Sequence, residues 1–122
     1  MSTNSGLSII KIGGNVIDNA DKLDSFLENF AALPGKKILV HGGGKIATRL
    51  AADMGIEAKL VEGRRITDAD MLKVTVMVYA GLTNKSIVAS LQKYRCDAIG
   101  LSGADGNSIK AVKRPVREID YG

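Results

Sequence analysis

Two glycine turns, one preceded by a lysine and one by a histidine, are the places in this sequence where chemistry is possible. Lys11 lies inside the short apolar run Leu7-Ser-Ile-Ile-Lys-Ile12, just before Gly13-Gly14. An ammonium in such a run is costly to bury unless an anion meets it or its stem snorkels to the sheet edge. Further along, His41-Gly42-Gly43-Gly44 separates a second apolar run from a helical pattern. Glycines there let a ligand approach bare backbone N–H groups, and the N-terminus of the following helix adds partial positive charge. This makes an anion site, but spacing alone leaves its ligand open. Gly42-Gly-Gly44-Lys-Ile-Ala47 also satisfies the weaker G-x-G-x-x-A dinucleotide pattern, and an ordinary strand-to-helix turn has the same composition. A P-loop is excluded, because Ile46 follows Gly44-Lys45 and Leu39 stands where its first glycine belongs. An ammonium and exposed amides facing one crevice suit phosphoryl transfer, in which positioning and charge neutralisation dominate.

The pattern of the chain indicates which elements must hold these groups. Leu7 to Ile12 reads as a buried strand ending in a tight turn. Ala20 to Leu33 carries Leu23, Phe26, Leu27 and Phe30 at helical spacing and stops at Pro34-Gly35. Lys36 to Val40 reads as a second strand, and Ile46, Leu50, Ala51 and Met54 as a helix with Gly55 at its C-terminus. Strand, helix, strand and helix with short links predict a parallel α/β sheet, whose ligands bind beyond the carboxyl ends of its strands. Both glycine turns fall at such ends.

Ile56 to Ile66, with Gly63 near its middle, predicts a hairpin or ribbon over the sheet edge, and Thr67-Asp-Ala-Asp70 opens a long helix running to about Lys93. The apolar residues of that helix form two stripes: Met71, Val74, Val78 and Leu82, and then Leu72, Val76, Tyr79, Ile87 and Leu91. Two stripes need two partners, here the sheet and, as an expectation, the same helix of a second subunit. Burial within a larger single chain would satisfy the same pattern. Asp97 to Leu101 reads as a third core strand ending at Ser102-Gly-Ala-Asp-Gly106, and Ser108 to Val112 as a strand beyond it. Three core strands are few for an open sheet, so a further part of the protein is expected outside this chain.

Composition narrows the partners. With 45% apolar residues the chain has an ordinary globular make-up, and its 122 residues suit one modest domain. The 17 Lys+Arg against 13 Asp+Glu give +4, but the basic residues are scattered. Three Tyr, two Phe and no Trp leave out the stacking aromatics of single-strand binders, so nucleic acid is not expected as a partner. Cys96 is the single cysteine and His41 the single histidine, which excludes an internal disulfide and gives no support to a zinc site. Cys96 reads as a small buried residue in a strand. Met1 to Gly6 lacks the regions of a signal peptide and no apolar run approaches a membrane span, so a reducing cytoplasm is the expected compartment.

Ile10-Lys-Ile-Gly-Gly14, Val40-His-Gly-Gly-Gly44, Glu62-Gly-Arg-Arg-Ile-Thr67, Tyr79-Ala-Gly-Leu-Thr-Asn-Lys85 and Gly100-Leu-Ser-Gly-Ala-Asp-Gly106 occur in this order and spacing. Together they resemble the N-acetylglutamate kinases of the amino acid kinase family, over nearly this whole chain but only the amino-terminal half of a family member. The resemblance implies a three-layer α/β/α sandwich, with residues 1–122 as its acylglutamate-binding and dimerising half. It implies transfer of the γ-phosphate of ATP, with Mg²⁺, to the γ-carboxylate of an N-acylglutamate, an acyl-phosphate-forming step of arginine biosynthesis. A homodimer through the helix from Asp68 to Lys93 would follow.

By the same resemblance Lys11 stabilises the transferring phosphoryl group and Gly14 lends it an N–H. Gly43 and Gly44 bind the substrate through their amides, and Arg65 grips a substrate carboxylate. Arg64 reads as a surface residue, and His41 as structural, fixing its turn. A γ-carboxylate is already ionised at neutral pH, so no base is needed. The family's catalytic aspartate, second catalytic lysine and adenine pocket belong to the half absent here, so this chain alone is expected to be inactive. Two other readings stay open: a relative acting on carbamate, aspartate, glutamate or a nucleotide, and a non-catalytic binding or dimerisation module.

Overall fold

The structure is a computed structural model that describes residues 6–43 and 45–122. Strand β1 (Leu7–Ile12) leads through a single helical turn, α1 (Gly14–Ile17), into helix α2 (Ala20–Ala32) and strand β2 (Lys36–His41). Asn19 caps α2 by accepting from the backbone N–H of Lys22 at 3.0 Å. At its other end the ammonium of Lys37 donates to the carbonyls of Ala31 and Leu33, each at 2.7 Å. That bond pair ties the end of α2 to the strand that follows it.

β1 and β2 pair in parallel, with Ile10 opposite Leu39, Lys11 opposite Val40 and Ile12 opposite His41. Alternation along a strand sends neighbouring side chains to opposite faces. One face, bearing Ile10, Ile12 and Leu39, packs with Ile17, Leu27, Phe30, Ile87 and Leu91 into the larger core cluster. The other, bearing Leu7, Ile9, Lys11, Ile38 and Val40, is exposed. Helices therefore cover one face of this sheet, and the described residues form two layers of an α/β architecture, where a three-layer sandwich was expected. Lys11, by its place in the alternation, stands on the open face. It is exposed, so the burial cost expected for it does not arise in this chain.

Helix α3 (Ile46–Asp53) follows β2 and ends as predicted at Gly55, whose φ of +74° allows a left-handed turn. The N–H of Ile56 bonds the carbonyl of Ala51 and that of Gly55 the carbonyl of Ala52, the paired bonds of a Schellman motif. The predicted hairpin is present as β3 (Leu60–Val61) and β4 (Arg64–Arg65), antiparallel. Glu62 and Gly63 at its tip both have positive φ, the two-residue turn that matches the twist of a hairpin.

The long helix runs as α4 (Ala69–Val76), a π-helical segment (Met77–Thr83) and α5 (Asn84–Lys93). Its cap is Asp68, one residue later than the expected start, accepting from the N–H of Met71 at 2.9 Å. Met71, Val74 and Val78 are buried against Ala47 and Ala51 of α3, while Ile87 and Leu91 are buried under the sheet. Between Val78 and the next buried position, Thr83, the step is five residues, one i→i+5 turn. That wide turn is why the two uniform stripes read from sequence do not hold. Leu82 is 57% exposed, and Ile87 and Leu91 lie in the core rather than in line with Leu72 and Val76. Leu72, Val76, Met77 and Leu82 form the exposed apolar set. The 25-residue helix also meets the length and composition of a membrane span, which no run had been expected to do, but its buried residues are those that build the two cores.

Cys96 to Leu101 has half-buried residues alternating with exposed ones, yet it has no regular secondary structure and among the described residues forms no ladder with β1 or β2. The expected third strand and the strand at Ser108 to Val112 are therefore absent as paired strands. Cys96 and Ala98 turn their side chains to the larger core, so the burial expected of Cys96 is met only in part and outside a strand.

Candidate active site

The register of the two strands decides the site. Since Ile12 is opposite His41, the turns that follow, Gly13-Gly14 and Gly42-Gly43, emerge side by side at the carboxyl ends of the strands. Gly44 lies outside the described residues, so its expected amide contact is not described. A cleft of about 500 Å³ opens there, lined by Gly13, Gly14, Asn15, Val16, Asp18 and Lys45. It lies in front of the first turn and reaches the start of α3 at Lys45, whose backbone N–H donates to Asp18 at 2.9 Å and fastens α3 to the end of α1.

The ammonium of Lys11 lies at this edge. A Cβ placed on Gly13 would sit 3.8 Å from Lys11 Nζ. Among the described residues Lys11 makes no ion pair. Gly14 opens the first turn of α1, beside it.

Arg65 reaches the second turn by another route. Its Nη2 donates to Thr48 Oγ1 at 2.6 Å, in the first turn of α3, and its Nη1 donates to the hydroxyl of Tyr79 at 3.2 Å. The ring of Tyr79 lies over Gly43, so closely that a Cβ on Gly43 would collide with it. Arg65 Nε is buried with no partner among the described residues. Arg64, by contrast, is exposed and stacks its guanidinium 4.7 Å from the ring centre of Tyr121, a surface contact.

His41 holds its own turn. The amide nitrogen of Asn84 can only donate, so at 3.1 Å it makes Nε2 of His41 an acceptor, and Nδ1–H donates to the carbonyl of Gly42 at 2.8 Å. Asn84 Oδ1 accepts in turn from Lys85 Nζ, which also donates to the carbonyl of Gly100 at 2.8 Å. Gly100 has room for no side chain, since a Cβ would strike Asn84 Oδ1. Beyond it, Asp105 accepts from the N–H and the hydroxyl of Ser102, and these two bonds hold its carboxyl below the usual range.

The structure thus places Lys11 and Gly14 at the first turn, and Gly43 and Arg65 at the second. Thr48, Tyr79, Asn84, Lys85 and Asp18 also shape the site and had no site role in the sequence reading, which placed Tyr79 on an apolar stripe. Tyr79, Asn84 and Lys85 lie in one of the quoted motifs, which was the only signal that they matter.

The sequence pattern of the amino acid kinase family fits residues 6–122. The acetylglutamate kinase of Cytophaga hutchinsonii is 60% identical over 117 residues, which cover 95% of this chain and 44% of that protein. That of Phocaeicola vulgatus is 59% identical over 116 residues, with 95% and 45% covered. The acetylglutamate kinase of Methanopyrus kandleri is 39% identical over 120 residues. This chain spans a little under half the length of the curated relatives it matches. A crystal structure of a Streptococcus mutans protein superposes with a TM-score of 0.60 at 23% identity, covering 73% of this chain and 37% of the other, a likeness of fold.

Proposed function

The chain belongs to the amino acid kinase family, and we propose that the protein transfers the γ-phosphoryl group of ATP to the γ-carboxylate of N-acetylglutamate or a related N-acylglutamate. The observation that carries this reading is that two glycine turns leave adjacent strands side by side, with an ammonium that makes no ion pair among the described residues at the first and a guanidinium behind the second. Identity of 60% to an acetylglutamate kinase supports the choice of acceptor.

In this reading the acylglutamate lies along the second turn, its chain held by the amides of Gly43 and Gly44 and a carboxylate gripped by Arg65. A guanidinium can offer two parallel donors to that carboxylate, which an ammonium cannot. The γ-carboxylate attacks the γ-phosphorus as the bond to the leaving ADP oxygen breaks. Its negative charge and that of the phosphoryl group must be forced together, and Lys11 with the N–H of Gly14 neutralises them. The product is an acyl phosphate, activated for reduction in arginine synthesis. Mg²⁺, bound with ATP, would neutralise charge on the phosphates.

Residues 1–122 form the acylglutamate-binding and dimerising half in this proposal. The family's three-layer sandwich would need a further layer on the bare sheet face, and the half that binds ATP would be needed for activity. Leu72, Val76, Met77 and Leu82 would pair with their copies across a two-fold axis, and the reaction would run in the cytoplasm.

The test is phosphoryl transfer by the full-length protein to a panel of acceptors: N-acetylglutamate, glutamate, aspartate and carbamate. Preference for the acylglutamate, and a raised KM for it in Arg65→Ala with the KM for ATP unchanged, is the expected result. Preference for another acceptor would reassign the protein within its family.

A further inference from the structure

We propose that Tyr79 is a positioning residue that joins the two substrate-gripping elements, fixing Arg65 relative to the Gly43 turn. The inference rests on the reading of Arg65 above and adds a residue to which no part has been given. A tyrosine packed in a core needs only its ring, and phenylalanine would fill the same space. Here both ends of the side chain are engaged. The ring lies on Gly43, at a distance only glycine permits, and the hydroxyl accepts from Arg65 Nη1 at 3.2 Å. Thr48 Oγ1 takes the second terminal nitrogen at 2.6 Å. A flexible arginine on a two-residue strand is thereby held by two fixed acceptors, one on α3 and one on the long helix.

The helix is shaped to present that side chain. Tyr79 falls within the π-helical segment Met77–Thr83, where the extra residue lets Val78 face α3 while Asn84 and Ile87 face the sheet. Tyr79 stands at the seam between these two packings, one residue after Val78. Wide turns of this kind frequently interrupt α-helices at functional sites. The buried Nε of Arg65 remains without a partner among the described residues. With no acceptor at Nε, the bonds from the two terminal nitrogens to Tyr79 and Thr48 are what hold the fork in place.

The experiment is a double-mutant cycle in the full-length protein, with steady-state kinetics for N-acetylglutamate and ATP. Tyr79→Phe keeps the ring on Gly43 and removes only the hydroxyl. It is expected to raise the KM for acylglutamate about five- to tenfold, with kcat and the KM for ATP within about twofold. Thr48→Val is expected to act in the same direction. In an Arg65→Ala background Tyr79→Phe should add nothing, because the group it positions is gone. If Arg65→Ala raises the KM but Tyr79→Phe is silent, or if its effect adds in full to that of Arg65→Ala, the inference fails while the reading of the site stands. If Arg65→Ala leaves the KM for acylglutamate unchanged, the reading of Arg65 fails and the inference with it.

Discussion

The two glycine turns stand side by side at the ends of neighbouring strands, yet they are built on opposite principles. Around Gly13 the nearest atom that a side chain would meet is the flexible end of Lys11, and the cleft in front is open. Gly43 is buried beneath an aromatic ring whose hydroxyl is tied to an arginine. The first turn is a place where a mobile cation can follow a group that moves. At the second, a ligand would meet a fixed shape. In a phosphoryl transfer the transferring group and the carbon skeleton of the acceptor make these two different demands, and the contrast supports assigning the first turn to chemistry and the second to recognition.

The strongest way to break this division is Lys11→Ala in the full-length protein. Loss of a single charge-stabilising donor costs about 10²- to 10³-fold in turnover when it acts on the transition state. The expected result is that loss in kcat with the KM for acylglutamate changed little. A KM effect of similar size would mean that Lys11 grips the ground state, and the two turns would no longer differ in role.

A paired substitution sharpens the comparison at lower amplitude. Gly43→Ala drives a methyl group into the ring of Tyr79, and overpacking of this kind costs about 1–3 kcal/mol. Moving that ring also disturbs Arg65, so a raised KM for acylglutamate should accompany the lower melting temperature. Gly13→Ala places its methyl at an ordinary contact distance in an extended backbone, with φ −103°. It should be neutral, or stabilising by up to about 1 kcal/mol through the unfolded chain. Thermal unfolding of both variants checks the pair, and equal destabilisation would remove the difference between the turns.

The turns themselves were legible because glycine, β-branched runs and helix stops are local signals, and the same holds for the Gly55 cap and the Glu62-Gly63 hairpin. Which strand face stayed bare was not, since Leu7 and Ile9 are as apolar as Ile10 and Ile12. The stripes of the long helix failed at Leu82, because a π turn leaves no mark in a pattern read at 3.6 residues per turn. Cys96 to Leu101 has the alternation of a strand, but a strand also needs a neighbour whose backbone groups it can pair, and alternation does not supply one. Of the site, Lys11 and Arg65 could be named from motifs. Tyr79 and Thr48 could not be given roles, since their bonds to Arg65 join residues distant in sequence through the packing of α3 on the long helix.

The smallest expected effect concerns a contact remote from both turns, and it serves as the control that separates folding from site chemistry. Asp24 on α2 accepts from the hydroxyl of Tyr94 at 2.7 Å and from Lys93 at 3.1 Å, joining α2 to the end of α5. The tyrosine hydroxyl first, and then the lysine, holds its carboxyl below the ordinary value. A carboxyl lowered on folding contributes stability that is present above its unfolded pKa of about 3.9 and disappears as pH falls through the lower folded value. The wild-type chain should therefore be slightly more stable than Asp24→Asn at neutral pH, with the gap closing only below about pH 4. Denaturant unfolding at a series of pH values measures it. Since the group is largely solvated, the gap should be small and shrink with added salt. A gap that instead persisted at pH 2 would mean that the contact acts through packing rather than charge.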